Sequence, residues 1–273
     1  MNVVLGVLAV LVATALTTAV MLLVRRRAPE GSFFSDGDRA SGVFGVLATG
    51  FSVLLGFIIF LAFDSYDQSR SGAEAEAITV VQQVETAQFL PAKSGTTLTG
   101  QLVCYARYVV GTEWPAMESG TLGNAINPWG LEMFRTLQTT VPRTDAEQSA
   151  YDRWMDQTSD REQARHDRVH GAEGIIPTPL WIVLFGISGV IFIFMLFFAD
   201  SAEWMRTQAL LMASVTSVIT CLLLLLVFFD HPHGDGLGKL HSVAMERTLH
   251  LVEVQLQDDI EFQAPCDGDG RPR

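Results

Sequence analysis

The residues best placed to do chemistry lie along one run from Gly42 to about Leu90, where an apolar stretch passes without a proline into a polar one. At about 100° of rotation per residue, small residues, one aromatic and several carboxylates share one sector of a helix. They include Thr49, Gly56, Phe60, Asp64, Asp67 and Glu74. Copies of this helix could form an apolar constriction followed by rings of carboxylates that concentrate cations. The same pattern is also typical of close packing through small residues, followed by an ordinary solvated face.

A second set of polar side chains follows the last apolar block of the sequence. His231, His233 and Asp235 offer nitrogen and oxygen ligands, but the set and its spacing are incomplete for a zinc or calcium site. They are weak metal candidates, and we expect no cofactor. The sequence lacks a Gly-x-Ser-x-Gly elbow, a phosphate-binding glycine loop and a His-Glu-x-x-His helix, so we do not expect an enzyme.

Composition places the chain among integral membrane proteins. It is 49% hydrophobic and 18% charged, and its apolar residues are gathered into long blocks. The formal charge of −12, with no basic face, argues against nucleic-acid binding. The lipid bilayer is therefore its first expected partner.

The apolar blocks predict four membrane spans, at residues 2–24, 42–63, 179–199 and 208–229. Arg25, Arg26 and Arg27 follow the first block, whereas a signal peptide carries its positive charge before the apolar core. We therefore expect a retained anchor in the plasma (inner) membrane with the arginines in the cytoplasm. Both termini and residues 64–178 would then be extracytoplasmic.

The predicted fold is all-α: a transmembrane hairpin (1–63), a helical extramembrane domain (64–178), a second transmembrane hairpin (179–229), an amphipathic helical region (230–263) and a disordered tail (264–273). Within the domain we expect helices near 75–89, 97–110, 129–139 and 145–170. The last of these is so polar that we expect it to bury little beyond Tyr151, Trp154 and Met155. Cys104 and Cys266 would share an oxidising compartment, but a mobile tail argues against a bridge, so their pairing stays open.

Three local patterns resemble the bestrophin-like family of four-span membrane proteins. One is the glycine-rich second span leading into Asp64, Tyr66 and Asp67, and another is the helix around Leu102, Tyr105 and Tyr108. The most specific is the turn with Asp230, Pro232, Gly234 and Gly236 ahead of Val243 to Glu246. The family is named for its likeness to bestrophins, which are pentameric ion channels with a pore along the second span. Bestrophin calcium-binding and anion-selective residues cannot be placed here one by one.

Two hypotheses follow from these patterns. The first is an oligomeric channel, a pentamer by analogy, with span 2 lining the pore and an acidic mouth that slightly favours cations. The second is a non-conducting scaffold or envelope sensor whose extracytoplasmic helical domain binds a partner. The second hypothesis predicts that the glycine-rich face of span 2, which includes Gly56, is buried against another span of the same subunit.

Overall fold

The structure is a computed structural model that describes residues 3–122, 127–172, 174–234, 236–256 and 264–273. These residues form α-helices and no strand, which confirms the predicted all-α class. Four of the helices, Val3–Arg25, Gly37–Ala87, Thr178–Phe197 and Met205–Asp230, are long and apolar enough to span a membrane. The helices are α1 (Val3–Arg25), α2 (Gly37–Ala87), α3 (Ala92–Tyr108), α4 (Trp114–Glu118), α5 (Trp129–Gln138), α6 (Asp145–Val169), α7 (Thr178–Phe197), α8 (Met205–Asp230) and α9 (Val243–Leu256).

The membrane unit contains α1, the first part of α2, α7 and α8. Its core is apolar and joins α2 to α7 and α8 through Phe51, Leu55, Ile58, Ala62, Leu184, Ile191, Ile219 and Leu226. Helix α1 packs on α8, where Thr17 and Thr216 share a hydrogen bond of 2.9 Å between their hydroxyls. Interhelical hydroxyl pairs of this kind stabilise helix packing in lipid, where burying apolar surface gives little driving force.

The extramembrane unit contains the second part of α2 together with α3 to α6 and α9. Within the helix predicted near 97–110, apolar residues recur at helical spacing and are all buried in the core of this unit: Leu98, Leu102, Tyr105 and Val109. Helix α6 begins with a capping box, in which the Thr144 hydroxyl accepts from the Glu147 amide and the Glu147 carboxylate accepts from the Thr144 amide. A π-helical turn, Val109–Glu113, joins α3 to α4.

Residues 264–273 are held on the extramembrane unit, so the expectation of a disordered tail is wrong for this stretch. Cys104 and Cys266 form a disulfide bond across 162 residues of sequence. The Trp129 indole Nε1 donates to the Gly270 carbonyl at 2.6 Å. A Cβ added to Gly270 would lie 2.2 Å from the Tyr108 amide nitrogen, so only glycine allows this close approach.

The charges of α6 are not simply a solvated face, which corrects a second expectation. Arg161 and Arg168 are 1% and 0% exposed, whereas Met155, expected inside, is 41% exposed. The physical reason is that these two arginines find carboxylate, amide and aromatic partners in the core, as described below. Pairing compensates the desolvation that keeps most arginines at the surface.

Candidate functional site

The residues predicted to line a pore form one exposed stripe along helix α2. Thr49, Gly56, Phe60, Asp64, Asp67 and Glu74 are all exposed in the single chain. Phe60 is 61% exposed, and α2 has no break between the apolar and polar parts. A Cβ added to Gly45, Gly50 or Gly56 would meet no described atom within 4 Å. The small-residue face is therefore not packed against another described span of the same chain.

The opposite face of α2 carries a buried seam, and this seam fixes which residues point outward. Its positions recur at alternating steps of four and three, the 3.5-residue spacing of helices that pack side by side. They are Phe51, Leu55, Ile58, Ala62, Ser65, Ser69, Gly72, Glu76, Thr79 and Gln83. The exposed stripe lies across the helix from this seam.

The acids of the exposed stripe differ in their surroundings. The carboxylates of Asp64 and Asp67 have no hydrogen bond or ion pair with another described residue. Glu74 pairs with Arg70 through Oε1 and Nε at 3.4 Å, and both side chains are mostly exposed. An exposed pair of this kind contributes little free energy, but it partly neutralises the Glu74 charge.

A buried ion cluster holds the domain part of α2. Arg168 on α6 donates from Nε and Nη2 to the Glu76 carboxylate of α2, and Nη2 also donates to Oε2 of Glu113. Arg165 donates from Nη2 to Oε1 of Glu113 at 2.8 Å. Glu76, Glu113 and Arg168 have no exposed side-chain surface. Two carboxylates thus face two guanidiniums, so the group carries no net charge.

Aromatic side chains complete the surroundings of this cluster. The Tyr105 hydroxyl donates to Oε1 of Glu76 at 2.5 Å, and the Arg168 guanidinium lies 5.8 Å from the Trp114 ring centre. Burial, and then the Glu76 charge, raise the pKa of Tyr105 well above its ordinary value, so the hydroxyl stays protonated and donates. Burial alone would lower the pKa of Arg168, but Glu76 and Glu113 outweigh it and raise that pKa.

A second buried arginine, Arg161, extends the contact between α6 and α2. Its Nη1 donates to Oε1 of Gln83 at 2.7 Å, and its guanidinium lies 4.8 Å from the Tyr105 ring centre. The two helix backbones approach closely at Gly72, where an added Cβ would lie 2.5 Å from the Arg168 amide nitrogen. Glycine at this position lets α6 come near enough to α2 for its arginines to reach the seam.

The family turn motif has clear local roles. The Asp230 carboxylate accepts from the amides of Ile175 and Ile176 at 2.8 and 2.7 Å, which fixes the backbone leading into α7. Gly234 and Gly236 have φ values of +122° and +135°, as a turn needing glycine requires. Pro232 is buried and packs close to Gly171, where an added Cβ would lie 2.8 Å from the proline Cγ.

The weak metal candidates do not form a ligand set among the described residues. His231 is exposed, His233 is buried, and Asp235 lies outside the described residues. No group of three or more His, Cys, Asp or Glu that could hold a metal ion occurs in the described ranges. Both ring nitrogens of His233 are buried without a described hydrogen-bond partner. Burial, and then the charges of Arg168 and Lys239, lower the pKa of His233 to about 4.

The sequence interpretation missed the buried cluster because its members look like surface residues. On α6 the buried positions are spaced as a helix face should be, and they are Ala150, Trp154, Gln157, Arg161, Ala164 and Arg168. Apolar periodicity cannot find a face that is largely polar. Continuing the helical register onward from Trp154 would have marked both arginines as inward-facing.

A family model described as a bestrophin-like domain matches residues 8–237. A crystal structure of a bacterial bestrophin homologue from Klebsiella pneumoniae with a point mutation matches with a TM-score of 0.66 and 12% identity, covering 93% of this chain and 99% of that chain. Another mutant of that homologue matches with a TM-score of 0.65 and 11% identity, over 91% and 98% of the two chains. At such identities the likeness shows the fold. No curated protein matches the sequence.

Replacing Arg168 with methionine tests the buried cluster. We expect Arg168→Met to lower the free energy of unfolding by about 3–5 kcal/mol, because Glu76 and Glu113 then remain buried without compensation. Denaturant unfolding followed by tryptophan fluorescence measures the change. Arg153→Met is the matched control, since Arg153 lies exposed on the same helix. The triple variant Glu76→Gln, Glu113→Gln, Arg168→Met should recover part of the loss, and equal stability of the two single variants would contradict the assignment.

Acid should destabilise the domain through His233. The folded-state pKa of about 4 lies below the ordinary value near 6.5, so between these values the unfolded chain binds a proton that the folded chain does not. This contribution to stability is complete above pH 6.5 and is lost as the pH falls toward 4, by at most about 3 kcal/mol. His233→Gln should flatten the dependence of unfolding free energy on pH over that range. The exposed-site control His250→Gln should keep the wild-type slope, and a wild-type slope in His233→Gln would refute the prediction.

Proposed function

Because the chain belongs to the bestrophin-like family, we propose that it is an oligomeric ion channel of the membrane in which copies of α2 line the pathway. The proposal assigns to this chain the channel function of bestrophins and not an enzymatic function. By analogy with bestrophins the assembly is a pentamer. Four spans in one subunit leave no room for an axial pathway, so conduction requires several copies.

The observation that carries the proposal is the exposure of one complete face of α2. A Cβ added to Gly45, Gly50 or Gly56 would meet no described atom within 4 Å, whereas the seam across the helix is buried. The scaffold hypothesis expects the glycine face to be covered within the subunit, and the described residues do not cover it. A small-residue face left open in lipid favours approach by a second protein surface.

The side chains along this face suggest how ions would pass. A ring of Phe60 would form an apolar constriction that opens and closes by wetting. Rings of Asp64 and Asp67, one and two helical turns beyond, would concentrate cations at the mouth. Glu74 contributes less, because Arg70 partly neutralises it. We therefore favour cations over anions.

Two independent features support an extracytoplasmic position for the extramembrane unit and both termini. The Arg25 to Arg27 cluster favours a cytoplasmic side for the loop after α1. The disulfide between Cys104 and Cys266 is typical of an oxidising compartment, since cytosolic thiols are kept reduced. Both features agree with insertion in the plasma (inner) membrane with four crossings.

Asp64→Asn combined with Asp67→Asn should reduce cation permeability relative to anions by at least about threefold, because the local field that concentrates cations is removed. Reversal potentials of purified protein in planar bilayers under a salt gradient measure the change. Asp156→Asn combined with Asp160→Asn is the matched control, since it removes the same charge from exposed positions of α6.

The same preparation decides between the two hypotheses. Native mass measurement in nanodiscs should give an assembly large enough to enclose an axis. A monomer or dimer, together with no current across pH, voltage and divalent-ion conditions, would overturn the channel proposal and favour the scaffold.

The orientation has its own test. In a Cys221→Ala background expressed in bacterial spheroplasts, Asp156→Cys should react with a membrane-impermeant maleimide. Ala202→Cys, in the exposed loop between α7 and α8, should react only after permeabilisation. The reverse pattern would place the extramembrane unit in the cytoplasm.

A further inference from the structure

One groove on the extramembrane unit is lined with cationic side chains, although the chain as a whole carries a formal charge of −12. The groove has a volume of about 380 Å³ and lies between α2, the segment 238–241 and the start of α9. The residues that matter here are Tyr66, Arg70, Lys239, Leu240, Val243 and Arg247. Three bases and one acid, Glu74, line it, so its local charge is opposite in sign to that of the whole chain.

The two arginines are available for a ligand. Arg247 is exposed and has no ion pair with a described residue. Arg70 has a single long contact to Glu74 at 3.4 Å. Lys239 is buried and donates to the His231 carbonyl, so it adds positive potential but is already engaged. Guanidinium groups suit phosphate oxygens, because their planar donors can form paired hydrogen bonds.

The groove also has an apolar side. Leu240 and Ala73 are buried beside it, and Val243 is exposed. The Tyr66 hydroxyl donates to the Gly238 carbonyl at 2.7 Å, which ties α2 to the segment that forms this wall. A groove with cations on one side and an apolar wall on the other matches an amphiphile better than a free inorganic anion.

The position along the chain points to the membrane surface. Tyr66 and Arg70 follow Phe63, the last residue of the apolar run, by three and seven residues of α2, which is about 5 and 10 Å of helix rise. The polar headgroup layer is roughly 5–8 Å deep on each side of the hydrocarbon, so Tyr66 falls within it and Arg70 lies just outside it, where its long side chain can reach back to the headgroups. In the same loop as Lys239, Leu237 is 81% exposed between two positive-φ glycines. An exposed leucine at the tip of a loop is typical of a surface that meets lipid.

We propose that this groove binds the phosphate of an anionic phospholipid headgroup. The guanidiniums of Arg70 and Arg247 contact the phosphate, and the apolar wall receives the glycerol ester region. The site goes beyond the proposed channel function and does not depend on conduction.

Native mass spectrometry of the full-length protein tests the proposal. Delipidated protein is titrated with phosphatidylglycerol, with phosphatidylcholine, and with inorganic phosphate alone. We expect phosphatidylglycerol to bind in preference to phosphatidylcholine. Arg70→Gln combined with Arg247→Gln should weaken phosphatidylglycerol binding by about tenfold, the effect of losing one or two charge-assisted hydrogen bonds. Arg135→Gln combined with Arg153→Gln, exposed arginines elsewhere on the unit, should bind lipid as the wild type does.

Each other outcome overturns the proposal. Unchanged lipid binding in Arg70→Gln with Arg247→Gln would remove the site. Displacement of phosphatidylglycerol by millimolar inorganic phosphate would reassign it to soluble anions. A change of subunit number in this variant, with lipid binding intact, would assign the groove to a neighbouring subunit. Matching melting temperatures of the variant and the control pair verify that the fold is intact.

Discussion

The buried pairing of Arg168 with Glu76 and Glu113 is the interaction on which the extramembrane unit depends. It joins α2, α6 and the π-helical turn after α3 through charges that have no exposed surface. Because Glu76 lies on the seam of α2, the pairing fixes the rotation of that helix about its own axis. Asp67 and Glu74 then face outward. The buried cluster therefore positions the exposed stripe, although none of its residues is part of that stripe.

The elements that could be predicted from the sequence are those specified by residues that lie close together in the chain. The four spans follow from apolar length, and the continuity of α2 follows from the absence of a proline or a turn near Asp64. The cluster and the tail could not be predicted in this way, because their partners are remote in sequence. Arg168 meets Glu76 across 92 residues, and Gly270 meets Trp129 across 141. A buried polar face on α6 also has the same amino-acid composition as a solvated polar face, so composition cannot distinguish the two.

The same distinction between local and long-range information applies to the candidate site. The spacing of Thr49, Phe60 and Asp64 shows that they share a sector, since helix geometry alone requires it. That this sector is the open one follows only from the buried seam behind it. The pairing of Arg70 with Glu74 is local, because the two residues lie four positions apart on one helix, whereas the basic groove is tertiary, because Lys239 and Arg247 reach Arg70 from a remote part of the sequence. One arginine therefore moderates the acidic stripe and contributes to a surface suited to phosphate.

The disulfide bond has a consequence for how the protein is made. Cys104 precedes the last two spans and Cys266 follows them, so the covalent ring contains both α7 and α8. In the proposed four-span topology, this ring can close only after both spans have been inserted and the carboxyl-terminal segment has reached the same compartment as Cys104. Oxidation is therefore a late event in biogenesis, and the presence of the bond reports that membrane insertion has been completed.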